Sequence, residues 1–248
     1  TGTSVVYAAV DGRYYSGTWH GLSNFGLHRS TNGGTSWSQV LPNTSGKPYS
    51  PADISIASDN RIWIGSKKNP YGDGGGKILY SDNGTSWTVG YTHPNGGRIA
   101  IATAPSDANY VYALIEANYK LDAVVNTTNK GATWSAKNEP DATATGMSSD
   151  DFTRGQAWYD LVIAVDPNNK NTIYAGGIDL FKSTNGGTSW SQLSYWHPYY
   201  GTPEVHADQH AIVCRSGSSS DVLFGNDGGV FYSGNANTGS PSFTNRNL

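Results

Sequence analysis

The densest run of side chains able to do chemistry is Glu204, His206, Asp208 and His210, two carboxylates and two imidazoles set two residues apart. Read as one innermost strand of a sheet, this spacing puts all four on a single face, because side chains alternate along a strand. Such a row can exchange protons with a substrate, hold a polar ligand, or bond to neighbouring strands and to water, and all three uses call on the same residue types. Metal binding is disfavoured. Residues four apart on a strand stand about 13 Å apart, whereas zinc needs its donors at about 2 Å. At most His206 with Asp208, or Asp208 with His210, could share an ion, so no metal or other cofactor is expected. Another acid, Asp227, precedes Gly228-Gly229, and Asn-Asp-Gly-Gly also reads as an ordinary hairpin turn.

Two further groups bear on binding. Asp53, Arg98 and Asp160 stand at the starts of apolar runs that correspond to the one after His210, so acids and one arginine are expected around a common opening. Aromatic residues fill several loops: Trp19-His20, Trp158-Tyr159, and Tyr195-Trp196-His197-Pro198-Tyr199-Tyr200. Their flat faces suit sugar rings while amides and carboxylates take the hydroxyls, or they pack between layers of the fold. The candidate ligand set is therefore Glu204, His206, Asp208, His210, Asp160, Arg98, Trp196 and Tyr199, with Asp227 and Asp208 as candidate catalytic carboxylates.

The elements that position these residues come from a repeat. One string returns four times: Ser30-Thr-Asn32-Gly-Gly34-Thr-Ser36-Trp37, Ser81-Asp-Asn83-Gly84-Thr-Ser86-Trp87, Thr127-Thr-Asn129-Lys-Gly131-Ala-Thr133-Trp134 and Ser183-Thr-Asn185-Gly-Gly187-Thr-Ser189-Trp190. The tryptophans are 50, 47 and 56 residues apart, and a decayed fifth copy is expected between Tyr232 and Phe243. A period near fifty with four strand-like runs per repeat is the signature of propeller blades. The string suits a hairpin: asparagine accepts from backbone N–H groups across the turn, glycine supplies positive φ, hydroxyls add local bonds, and tryptophan plugs the core with its N–H satisfied at the edge. These residues are structural.

Between the strings, paired apolar runs such as Asp53-Ile-Ser-Ile-Ala with Arg61-Ile-Trp-Ile-Gly, and Asp160-Leu-Val-Ile-Ala with Thr172-Ile-Tyr-Ala-Gly, give an inner strand, a turn and a second strand. The expectation is one all-β propeller over 1–248, with four-stranded blades near 1–45, 46–93, 94–140, 141–196 and 197–248. The chain opens at Ser4-Val-Val-Tyr without an obvious innermost strand, so the ring is expected to be incomplete. Further blades or a partner chain are expected to close it, because open blade edges invite aggregation.

Composition agrees and narrows the partners. With 31 Gly, 16 Tyr and 8 Trp, the chain favours short strands and tight turns. A net charge of −3 without runs of one sign argues against nucleic acid as a partner. The longest apolar runs are strand-sized, which argues against membrane insertion. The single cysteine, Cys214, lies in an apolar stretch and reads as a small core residue. Low charge with abundant Asn, Ser, Thr and Tyr leads to the expectation of an extracellular or cell-surface protein.

The repeated string, the stretch Gly97-Arg98-Ile99-Ala100-Ile101, and the pair His206-Ala207-Asp208-Gln209-His210 with Asn226-Asp227-Gly228-Gly229 resemble bacterial Asp-box (BNR repeat) propellers. These are related to the sortilin (Vps10) propeller and more distantly to xyloglucanase-type glycoside hydrolases and sialidases. The usual box aspartate is Asn32, Asn83, Asn129 and Asn185 here, which keeps the acceptor and drops the charge. The resemblance implies a place for Asp227, since xyloglucanase-type enzymes carry a catalytic aspartate before a Gly-Gly turn. It also implies that the second carboxylate would come from another propeller across a cleft, with the pair roughly 5 to 9.5 Å apart. A sialidase would need an arginine triad and Arg-Ile-Pro, where this chain has Arg61-Ile62-Trp63 and Arg98-Ile99-Ala100. The expected function is a non-catalytic module binding glycan or protein ligands. The alternatives are part of a polysaccharide-acting hydrolase, or a purely structural repeat of a larger surface protein.

Overall fold

The computed structural model describes residues 4–142, 151–198 and 203–247. The first blade holds β1 (Val6–Tyr15), β2 (Thr18–Ser30) and β3 (Ser38–Gln39), followed by a two-stranded ribbon of β4 (Asn43–Thr44) and β5 (Lys47–Pro48). The second blade is β6 (Ser50–Ile56), β7 (Ile62–Lys67), β8 (Lys77–Ser81) and β9 (Thr88–Thr92). The third is β10 (Ile99–Thr103), β11 (Val111–Ala117), β12 (Lys120–Thr127) and β13 (Ser135–Lys137). A single helical turn, α1 (Ala157–Asp160), leads into the fourth: β14 (Val162–Val165), β15 (Ile173–Gly176), β16 (Leu180–Ser183) and β17 (Ser191–Gln192). The fifth is β18 (Gln209–Cys214), β19 (Val222–Asn226), β20 (Gly229–Ser233) and β21 (Thr244–Asn245).

Each blade is an antiparallel meander ordered as in the sequence. The inner strands β6, β10, β14 and β18 pack side by side around a channel of about 530 Å³ lined by residues such as Ile56, Ile101, Ile163 and Val213. The chain is thus an all-β propeller of five blades with an open ring, and among the described residues its first blade has three strands, the counterparts of the second to fourth strands of the others. The repeated string joins the third and fourth strands of a complete blade, and in the first blade it joins β2 to β3.

In all four strings the asparagine oxygen accepts the backbone N–H of Ser36, Ser86, Thr133 or Ser189 at 2.8–2.9 Å. The opening hydroxyl accepts from the following glycine N–H. The decayed copy keeps this chemistry: Asn235 accepts the Ser242 N–H at 2.9 Å, and Phe243 packs edge-on to Phe224 in the place of the tryptophan. One expectation needs correction. The indole N–H groups of Trp37 and Trp190 donate to Gly34 and Asn138 carbonyls, but those of Trp87 and Trp134 are buried without an acceptor among the described residues. Around Trp134 the neighbours are the rings of Trp63 and Tyr91.

The blades interlock through these turns. Gly84 has no room for a side chain against Tyr7, nor Gly131 against Trp63, and Gly186 lies on Tyr112. The Tyr174 hydroxyl of the fourth blade donates to the Ala236 carbonyl of the fifth. Tyr7, Trp63, Tyr112 and Tyr174 share one position in the second strand of successive blades. Each blade therefore seats the next blade's turn on a ring, and Trp63, Tyr112 and Tyr174 are fully buried by it. Cys214 packs against the core between the last two blades, and burial pushes its thiol up to about 12, so it does not ionise at neutral pH.

Candidate functional site

Antiparallel meanders place the starts of β6, β10, β14 and β18 at one end of the channel, together with the loops 68–76, 118–119, 177–179 and 227–228. The repeated turns lie at the other end. This mouth end gathers most of the candidate residues.

Its deepest part is electrostatic. Asp53 accepts the N–H groups of Ile54 and, from the next blade, Ile101, at 2.8 and 2.9 Å, and burial raises its pKa. Arg98 donates to the carbonyls of Ala157 and Tyr159 at 3.3 and 3.0 Å, which braces α1 over the channel. Burial pulls its guanidinium pKa down, opposed by the charges of Asp53, Asp160 and Glu116. Glu116 caps the backbone N–H groups of Arg98 and Tyr119 at 2.9 and 2.8 Å. Asp160, the last residue of α1, is fully buried, and neither carboxylate oxygen has a hydrogen-bond partner among the described residues. Burial, and then the nearby charge of Asp208, raise its pKa to about 8, so it is mostly protonated at neutral pH.

Above this lies an exposed cluster. The His210 Nε2 stands 2.6 Å from Asp227 and the Tyr159 hydroxyl donates to the same carboxylate at 3.0 Å, while the Tyr159 ring meets His210 edge-on at 4.7 Å. Facing a carboxylate, Nε2 carries the hydrogen. The two donors, His210 first, hold Asp227 below the usual carboxylate range. Asp227 is thus an ionised acceptor suited to a ligand hydroxyl, or to work as a base or nucleophile. Asp160 has the proton but is sealed from the surface, so the two do not form an exposed acid and base pair.

The row at 204–210 is not one strand. β18 begins only at Gln209. Asp208 sits in the left-handed region at φ 65°, and the register shifts between Gln209 and Ala211. The buried Gln209 side chain donates back to the His206 carbonyl at 2.6 Å, which holds 206–209 as a tight loop. The alternation expected of Glu204, His206, Asp208 and His210 is therefore broken. Asp208 accepts from Gln156 at 3.2 Å, His210 faces Asp227, and His206 covers Gly228, which has no space for a Cβ. Glu204 bridges through its backbone to Tyr195, and the Trp196 ring meets that of His197 edge-on at 5.4 Å. Tyr199 lies outside the described residues.

Sequence reasoning did not single out Gln156 or the bond of Tyr159 to Asp227. Both come from α1 and the residue that precedes it, a turn too short for periodicity to show. The pattern Gln156-Ala-Trp-Tyr-Asp160, aromatics beside an acid just before an inner strand, was the available signal. No group of three or more His, Cys, Asp or Glu side chains among the described residues is arranged to hold a metal.

No protein-family model matches the sequence. A stretch of 108 residues, 40% of this chain, is 35% identical to a xyloglucanase of Hypocrea jecorina (strain QM6a) and spans 12% of that protein. Among solved structures, an ancestral GH74 enzyme superposes on 93% of this chain and 27% of its own length, with a TM-score of 0.59 and 19% identity. The GH74 xyloglucanase of Xanthomonas campestris covers 88% of this chain and 35% of its own, at a TM-score of 0.55 and 16% identity. The chain therefore spans well under half the length of these proteins, and the structural likeness shows the propeller fold.

Proposed function

We propose that this propeller binds polysaccharide across its mouth end, as the glycan-holding part of a protein related to xyloglucanase-type hydrolases. The observation that carries this reading is the surface of α1. Trp158 and Tyr159 are 57% and 40% exposed, their rings are 5.6 Å apart, and Tyr159 reaches the ionised Asp227. Large exposed rings beside an anchored acceptor match what a sugar needs, a flat apolar face and polar groups at its rim. The stretch 35% identical to a xyloglucanase supports the same substrate class. Relationship to the Asp-box and sortilin propellers, secretion to the cell surface, and closure of the ring by further blades belong to this reading. Leu223, the fifth-blade equivalent of Tyr174, is 43% exposed, as a seat for another blade's turn would be.

A hydrolytic role is the second reading, favoured by the place of Asp227 before Gly228-Gly229 at the mouth end, with the proton donor supplied from outside this chain. Purified chain is to be screened against xyloglucan and other β-glucans for retention and reducing-end release, with Trp158→Ala and Asp227→Asn alongside. Retention weakened by Trp158→Ala without release supports the binding module. Release lost in Asp227→Asn moves the assignment to the hydrolase. Absence of both leaves a structural repeat and removes the proposal.

A further inference from the structure

Beside Trp158 the mouth end sinks into a cavity of about 430 Å³ between the second and third blades, lined by Lys67, Lys68, Asn95, Asn118, Tyr119 and Trp158 among others. Its charge runs against that of the chain, which is net −3. Lys67 reaches in from the end of β7 with its ammonium bonded to Asp11 at 2.6 Å. Lys68 is exposed and has no acidic partner among the described residues. Arg98 also lines it, and the one acid among its lining residues, Glu116, has each carboxylate oxygen occupied by a backbone N–H. An ammonium at the rim, amides from Asn95 and Asn118, and two ring faces are left to meet a ligand.

The turn that supplies part of this wall carries strain. Asn118 and Tyr119 both adopt left-handed φ, 53° and 72°, where a two-residue hairpin turn is relaxed with Asn-Gly. A non-glycine residue in that region costs about 1 kcal/mol. The fold holds Tyr119 there through Glu116 and through the Ala157 N–H, which donates to the Tyr119 carbonyl at 3.0 Å. The result is a ring 66% exposed at the cavity edge.

We propose that this cavity is a subsite for an anionic sugar unit, its carboxylate or sulfate paired with Lys68 and its ring held between Trp158 and Tyr119. The proposal rests on the glycan-binding reading and names the class of sugar bound at one end of the same groove. Lysine suits it as a flexible point charge that needs no bidentate geometry. The pairing is solvent-exposed, so it is expected to weaken as salt rises.

Titration calorimetry with three probes tests it: a neutral xylogluco-oligosaccharide, an oligogalacturonide and a sulfated galactan oligomer of matched length. At low salt at least one anionic probe is expected to bind about tenfold tighter than the neutral one, the better of the two identifying carboxylate or sulfate. Lys68→Gln is expected to erase that margin and leave the neutral probe unchanged, and Lys68→Arg to restore it. Neutral binding with no anionic preference, or a preference that survives Lys68→Gln, overturns the subsite and leaves the glycan reading intact. Failure of all three probes overturns both.

Discussion

At the turn end of the propeller, five copies of one loop make the same hydrogen bonds and four of them seat on a ring of the preceding blade. At the mouth end, the loops 68–76, 118–119, 177–179 and 227–228 share no sequence, and their lengths run from two residues to nine. They gather a buried acid without a hydrogen-bond partner among the described residues, a braced arginine, the non-glycine residues Asn118, Tyr119 and Asp208 at positive φ, and the exposed rings. Both ends are carried by the same strands, so the difference lies in what each end is for. Repetition serves packing, where every blade has the same neighbour to satisfy. Its loss marks where side chains answer to something other than the next blade.

The sharpest way to break this comparison is to remove a ring at the turn end. Trp63 is fully buried beneath Gly131 and edge-on to Trp134. Trp63→Ala is expected to cost about 4 kcal/mol in urea unfolding, while any folded fraction binds glycan as before. A loss of binding larger than the loss of folded protein would show that the ends are not separable.

Next in size is a titration belonging to the mouth alone. Asp160 has a folded pKa of about 8 against an ordinary 3.8, so between these values the unfolded chain is ionised while the folded one keeps its proton. Stability is present at acid pH and is lost as pH rises, by roughly 3 kcal/mol from pH 5 to 8 for this group alone. Asp160→Asn is expected to flatten that slope. Asp179, buried and raised to about 7, acts in the same direction and supplies a smaller remainder. A slope unchanged in Asp160→Asn would mean that water or a ligand already satisfies that carboxylate.

A single repeated turn is worth less. Asn185→Ala removes the acceptor for the Ser189 N–H and the bonds to the Ser183 and Ser189 hydroxyls, and is expected to cost about 1–2 kcal/mol with no change in binding. The two ends also differ in how far the sequence reveals them. Ser, Asn, Gly and Trp at fixed spacing disclose the turn and the blade count, and even the decayed copy keeps Asn235 and Ser242 in role. The rings beneath the turns were not singled out from the sequence, although an aromatic recurs in the second-strand runs as Ile62-Trp63, Val111-Tyr112 and Ile173-Tyr174. The mouth was legible only as composition. Nothing in a period-two pattern announces that Asp208 turns left-handed, that His210 swings to Asp227, or that α1 exists. Those outcomes depend on non-local partners, Gln156 and Tyr159 among them, about fifty residues or more away.

The smallest expected change in stability is also the one that separates the ends most cleanly. Trp158 is more than half exposed and its side chain has no hydrogen bond among the described residues, so Trp158→Ala is expected to shift unfolding by less than about 0.5 kcal/mol. If the mouth holds a polysaccharide, the same change removes a stacking face at the centre of the groove. A truncated aromatic anchor typically costs more than 1 kcal/mol of binding, which corresponds to a loss of about tenfold in affinity for xyloglucan oligosaccharides, measured by calorimetry. Trp37, 42% exposed at the turn end, is the matched control, because its replacement should leave binding untouched. Equal effects of the two substitutions on binding would mean that exposure of a ring, and not its place at the mouth, was being read.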